Sequence, residues 1–322
     1  MPNIITHTLF FDELYDSFDS SYLEWMDSRK QLMEIGSNGP DFLFFHCFSP
    51  ERILKRTKLR TLGNVVHHSK VNEFYKMAVY LIRNEKNEEI KKDMMAYVCG
   101  HLCHWALDSQ VHPYVFYRTG TCKGESAWWH HRFESILDAL VLKAQKGITI
   151  QEYKAGKICD VSKEMARAIA KIYVPIAKEV YGVDIKPHEI LESLNDWKFM
   201  QSVFYDPTGS KYKMAHSIEK LVDKDNIFSG YFVPNTAHDP YDTCNLMHKE
   251  WLHPCDDSIK STDSFFDLYA KALNSARIVI DLFLEAIEDE SKVDEFTSFL
   301  ADRNYDTGLS EDKKMKYFDL IW

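Results

Sequence analysis

Glycine and proline are scarce in this chain of 322 residues, at 12 and 10. A sandwich or propeller needs many tight turns, so long helices joined by a few longer loops are expected instead. No run of about 18 apolar residues occurs, which excludes a helical membrane span. A basic excess is missing as well. The formal charge is −10, from 39 Lys and Arg against 49 Asp and Glu. The electrostatic footprint of a nucleic-acid binder is therefore absent. The chain as a whole is not drawn to an anionic membrane either, although net charge leaves room for a local basic patch. The opening MPNIITHTLFFDELYDSF has neither a basic start nor a continuous apolar stretch, so it does not read as a secretion signal. Seven cysteines, an odd number, are scattered over positions 47, 99, 103, 122, 159, 244 and 255. They do not make a disulfide scaffold; reduced thiols and a cytoplasmic location are the expectation.

What is present is apolar and aromatic bulk. Hydrophobic residues make up 45% of the chain and aromatic residues 14%, enough to bury a substantial core. We expect one all-α domain over 1–322, with no repeat and no composition shift to mark a boundary. Residues 1–35 read as a helical opening. Gly36, Gly39 and Pro40 then enforce a turn, followed by Asp41 and the aromatic run to Phe48. Leu62–Arg83 reads as one helix, its apolar stripe running through Val66, Phe74, Met77, Ala78 and Leu81. Further helices are expected over 94–108, 127–145, 162–180 and 264–288, the last capped by Thr262 or Ser264. The stretch 227–258 carries little helical periodicity and reads as a long loop.

The chemistry concentrates in 97–134. His104 and Asp108 are four apart, as are His130 and Glu134. Residues four apart on a helix share one face. Neutral imidazole and carboxylate are ligands of zinc-type ions. A lone pair of this kind is most often a surface hydrogen bond. Two such pairs on apolar, aromatic strips, with His112-Pro113 between them, favour a metal, because buried charge needs a partner. His112 is expected in the loop joining two ligand-bearing helices. Cys103 and His101 read as core residues, the latter hydrogen-bonded. Asp138, one turn beyond Glu134, is expected to orient a ligand imidazole.

In order, the chain carries His7, Gly-x-x-Gly-Pro-Asp at 36–41, Gly-x-x-x-His at 63–67, His104-x-x-x-Asp108, His112-Pro113 and His130-x-x-x-Glu134. This series resembles the bacterial zinc-dependent phospholipase C family, whose fold is shared with fungal single-strand-specific nucleases. The motifs lie in residues 1–140; 141–322 resembles it only around Trp251–Pro254 and Ser264–Leu268, and reads as supporting helices and the long loop. The resemblance implies an all-helical fold around two or three zinc ions. Asp41, His67, His104 and Asp108 would hold the first; His112, His130 and Glu134 the second; Asp108 with His7 the third. His68 competes with His67, and His131 with His130. Two departures stand out. Secreted members bind the third zinc through a processed N-terminal tryptophan, whereas this chain begins Met1-Pro2, and His112 follows Asp108 by only four positions. The implied activity is hydrolysis of a small-molecule or lipid phosphate ester by a metal-bridging hydroxide, with Asp41 orienting the water or acting as base. The rival from another class is a catalytically silent binding or scaffold protein stapled by its metals. A helical His-Asp phosphomonoesterase would need adjacent His-Asp on a helix, and His238-Asp239 falls in the expected loop.

Overall fold

The computed structural model describes residues 4–18, 25–222 and 228–322. The chain runs α1 (Ile4–Asp16), α2 (Lys30–Gly36), a 3-10 turn (Asp41–Phe45), α3 (Leu59–His68), α4 (Val71–Arg83), α5 (Glu88–Thr119), α6 (Glu125–Lys146), α7 (Lys163–Glu179), α8 (Pro187–Phe204), α9 (Ser210–Val222), β1 (Trp251–His253), β2 (Asp256–Ser261), α10 (Phe265–Glu288) and α11 (Val293–Leu300). The fold is all-α. Among the described residues the one sheet is the antiparallel β1–β2 hairpin, which pairs Trp251 with Ser261. None of these helices is long and apolar enough to cross a membrane.

Helix α5 organises the rest. Every residue from Tyr97 to Asp108 is buried. A helix that is buried on all sides must sit at the centre of its fold, and α1, α2, α6, α7 and α10 pack around this one. The crossing with α2 is backbone to backbone. A Cβ on Gly100 would lie 2.1 Å from the Met33 carbonyl oxygen, and one on Gly36 2.3 Å from that of Tyr97. Any side chain at either position would push the helices apart. Helix α10 starts at a capping box in which Ser264 and Asp267 exchange hydrogen bonds, and it lays Leu268, Ala272, Ala276, Val279, Ile280 and Phe283 into the core.

Several elements differ from the sequence reading. His112 is not in a loop. Helix α5 continues through Pro113 to Thr119, because Val111, His112, Tyr114, Val115 and Phe116 are all buried along it. That packing outweighs the roughly 3 kcal/mol an interior proline costs. Leu62–Arg83 is two helices, α3 and α4. Ser69 is extended and Lys70 left-handed at φ 58°, so α3 ends just after His67. Helices α8 and α9 fall where no helix was read, and the hairpin begins within the long loop and runs past its end. Met1, Pro2, residues 19–24 of the helical opening and residue 227 of the loop lie outside the described residues.

Two side-chain clamps set the ends that carry site residues. On α6, Asp138 accepts hydrogen bonds from the backbone N–H of Ile5 (3.2 Å) and Thr6 (2.8 Å) and from the Thr6 hydroxyl (2.6 Å). The first N–H groups of a helix have no partner within it, so Asp138 caps α1 from outside. The segment after α11 closes on the end of α3. Tyr305 N–H donates to the His67 carbonyl at 3.0 Å, and His68 Nε2 pairs with Asp306 at 2.8 Å.

The Asp306 carboxylate raises the His68 pKa from 6.5 to about 9. A raised histidine pKa stabilises the fold fully below pH 6.5 and loses that effect as pH rises through 9. His68→Gln should therefore lower the urea midpoint at pH 6 and leave it unchanged at pH 10. His68 is half-exposed, so the difference should stay below about 1 kcal/mol. An equal loss at both pH values would remove the charge from this account.

Candidate metal centre

Eight side chains from five elements meet beside α5. Helix α1 brings His7, the 3-10 turn Asp41, and α3 His67. Helix α5 brings His104, Asp108 and His112, and α6 brings His130 and Glu134. None of these eight residues is, as a whole, more than 7% exposed. They form three groups that could hold a metal ion: His7, His104 and Asp108; Asp41, His67 and His104; His112, His130 and Glu134. The first two share His104.

The spacing of α5 explains half of this. Residues 104, 108 and 112 recur every four positions, so their side chains stack along one face. Asp108 Oδ2 lies 3.1 Å from His104 Nε2 and 3.7 Å from His112 Nδ1, while Asp108 Oδ1 lies 3.3 Å from His7 Nε2. Across the gap, Asp41 Oδ1 lies 3.1 Å from His67 Nε2 and 3.7 Å from His104 Nε2. Glu134 Oε1 lies 3.2 Å from His130 Nε2 and 3.6 Å from His112 Nε2. Gly39 makes the approach of Asp41 possible. It sits at φ 53°, and a Cβ there would stand 2.2 Å from the His104 ring. A side chain at that position would drive the Asp41 turn off the imidazole.

The imidazole tautomers follow from their other partners. His67 Nδ1 faces the Gly63 carbonyl at 2.7 Å, and His112 Nδ1 the Tyr305 carbonyl at 2.9 Å. Carbonyls only accept, so both Nδ1 atoms carry the proton. The Thr119 hydroxyl donates to the Val115 carbonyl, so its oxygen accepts from His130 Nδ1 at 3.0 Å. In each of the three rings Nε2 then faces a carboxylate oxygen. Both nitrogens of His7 and of His104 and both oxygens of Asp108 are buried with no hydrogen-bond partner among the described residues. The close contacts of Asp108 with His104 and His7 are near in distance but not aligned as hydrogen bonds.

Acceptor facing acceptor, buried, is unfavourable unless a cation or a proton lies between. Burial pushes the pKa of His7 down to about 4, with His104 adding to the shift, and burial does the same to His130. These rings are neutral at pH 7 and offer lone pairs. His67 goes the other way: burial lowers its pKa, but the bond to Asp41 more than compensates, and the net shift is upward. A proton can stand in for an ion at that one pair. No cysteine enters any of the three groups. Cys103 is buried and its thiol turns back to the Cys99 carbonyl.

The neighbouring histidines have other roles. His131 stacks on Tyr231 at 4.2 Å and meets its hydroxyl through Nε2 at 3.0 Å. His101 is buried between the hydroxyls of Tyr75 (2.8 Å) and Tyr173 (3.0 Å) and stacks on Phe74. Asp138 does not orient an imidazole. It holds the start of α1, two residues before His7, and burial raises its pKa to about 7 although three donors point at it. Sequence reasoning passed over Tyr305 and Asp306. They sit in the segment after α11, with no histidine nearby in sequence to flag them. Asp239 accepts from Thr243 N–H and hydroxyl and so closes a turn. A surface groove of about 720 Å³ between α4, α5, α7 and α8, floored by Met94, Ala166 and Ala170, shares no residue with the cluster.

Comparison with known proteins gives no match: no family model, no curated relative and no solved structure aligns with the chain.

Asp108 turns one oxygen to His7 and the other to His104, which no neutral isostere reproduces. Asp108→Asn should lose at least one bound ion per chain and keep its circular dichroism spectrum. Asp138→Asn, acting on His7 through α1, should weaken metal affinity by roughly 10–100-fold. Full metal content in Asp108→Asn would show that this carboxylate holds nothing.

Proposed function

We propose that the chain is a metal-dependent hydrolase of phosphate esters, a phosphodiesterase of phospholipase C type that holds two or three zinc ions. The observation that carries this reading is the facing of imidazole lone pairs and carboxylate oxygens inside a buried cluster. The donors are nitrogen and oxygen only, a set that suits zinc and excludes a thiolate-selected ion. His7, His104 and Asp108, then Asp41, His67 and His104, then His112, His130 and Glu134 would be the ligands. When bound, such ions stabilise charge on phosphoryl oxygens and lower the pKa of water toward about 7. The order of the motifs from His7 to Glu134, with its likeness to the zinc-dependent phospholipases C, supports the same reaction class.

The chain's own residues divide the remaining work by exposure. The Asp108 side chain has no exposed surface, while that of Asp41 keeps 10%. Asp41 is thus the carboxylate that can meet a water, accept its proton and orient it, whereas Asp108 can only bind and neutralise. The carbonyls of Gly63 and Tyr305 and the hydroxyl of Thr119 fix His67, His112 and His130 by their Nδ1 protons. Each ring then keeps one orientation, as metal-binding histidines need.

The near-complete enclosure of the cluster favours one rival, a catalytically silent binding or scaffold protein whose ions are staples. The two part on an open coordination position. Purified protein should carry zinc and hydrolyse bis(p-nitrophenyl) phosphate. Asp41→Asn should cut that rate by about 10²–10⁴-fold, the range for a general base. Full metal content with no turnover of aryl phosphate mono- or diesters would leave the scaffold reading in its place.

A further inference from the structure

The chain is acidic overall, yet residues 51–60 hold Arg52, Lys55, Arg56, Lys58 and Arg60 against the single acid Glu51. This segment joins the Asp41 turn to α3, which carries His67. Its base is fixed. The Arg52 guanidinium pairs with the buried Asp196 carboxylate on α8, which also accepts from Cys47 N–H at 2.8 Å. Arg60 donates to the His46 carbonyl at 3.1 Å and covers the Phe48 ring. His46 meets the Thr57 hydroxyl through Nδ1. The apex is the opposite. Leu54 is 96% exposed and Ile53 60%. The side chains of Lys55, Arg56 and Lys58 are exposed and form no ion pair among the described residues.

Two aliphatic side chains thrust into water, ringed by unpaired cations, on a loop whose roots are clamped, form a surface of definite chemistry. Apolar tips with basic flanks suit the boundary between acyl chains and anionic headgroups. A single-stranded nucleic acid would call for aromatic stacking platforms beside the cations, and the apex has none. The chain's net charge of −10 does not oppose this contact, because beyond a Debye length of about 10 Å the remaining acids are screened. Phe199, one turn from Asp196 on α8, is also partly exposed.

We propose that the loop over 50–58 docks on an anionic lipid bilayer, with Ile53 and Leu54 entering the acyl boundary and Lys55, Arg56 and Lys58 at the headgroup phosphates. Helix α3 then spans about 12 Å from Leu59 to His67, which links the docked loop rigidly to the cluster. The proposal rests on the phosphate-ester reading for its purpose, since it selects the lipid form of that substrate. The binding itself needs no turnover.

The test is co-sedimentation of the full chain with vesicles of phosphatidylserine and phosphatidylcholine, against vesicles of phosphatidylcholine alone. Binding is expected on the anionic vesicles and should fall as salt rises. Leu54→Glu should weaken it about tenfold or more, by loss of a buried leucine. Lys55→Ala, Arg56→Ala and Lys58→Ala should each weaken it roughly fivefold. All four variants should hydrolyse soluble bis(p-nitrophenyl) phosphate at the unmodified rate. No binding to anionic vesicles, equal binding by the variants, or capture of a single-stranded oligonucleotide in place of vesicles would overturn the proposal. Vesicle binding that persists while the soluble diester is untouched would support docking and count against the hydrolytic reading alone.

Discussion

The interaction on which this molecule turns is one between like groups: imidazole lone pairs and carboxylate oxygens that face each other at 3.1–3.7 Å in a buried space. Among the described residues, neither Asp41 nor Asp108 pairs with a lysine or arginine. A buried carboxylate that lacks a countercharge loses several kcal/mol of solvation. It can recover that loss from a proton, from an imidazolium or from a metal ion. Burial disfavours the imidazolium at His7 and His130, and hydrogen bonds already occupy the Nδ1 protons of His67, His112 and His130. A divalent ion satisfies several of these acceptors at once, which a single proton cannot.

Much of the architecture can be understood as what it takes to bring those groups together. One helix carries three of the eight, and it must be central for the other five to reach it from different sides. Centrality requires that α5 be buried all round, and close contact with α2 requires Gly36 and Gly100 at the crossing. The Asp41 turn reaches His104 only because Gly39 has no side chain to hold it off. The polar groups that anchor the other ligands are themselves remote in sequence: Asp138 for α1, and Tyr305 for both His67 and His112.

The helical class, the central segment and the helix-borne pairs were legible because they are local. His104 with Asp108 and His130 with Glu134 follow a four-residue period, and α10 shows its apolar stripe openly. Reading His112 as a loop residue gave a proline more weight than the buried side chains on both sides of it. The break between α3 and α4 was hidden because Ser69 and Lys70 interrupt no apolar period, yet their backbone angles end the helix. Asp138 was noticed by its spacing but given the wrong partner, since nothing in the sequence says that α1 starts beside α6. Tyr305 and Asp306 were invisible for the same reason. Their contacts lie across roughly 190–240 positions of chain, and a residue whose role is to meet a distant backbone atom carries no periodic signal.

This division bears on how the site would behave with and without bound ions. A cluster assembled only by its metals would fall apart without them, because ion binding would then supply the folding energy. Here six of the eight candidate ligands have a second anchor. His104, Asp108 and His112 are fixed by a helix that is buried from Tyr97 onward. His7 follows the capped start of α1, and His67, His112 and His130 are held through Nδ1. Removing the ions would leave repulsion among fixed acceptors rather than a collapsed loop. That repulsion would be present before any metal arrived, and binding would relieve it without ordering any new segment. Tight affinity would then come from preorganisation. The same rigidity holds an open position in place if one exists, so a preorganised cluster serves a hydrolase better than a staple, whose value lies in ordering what would otherwise be loose.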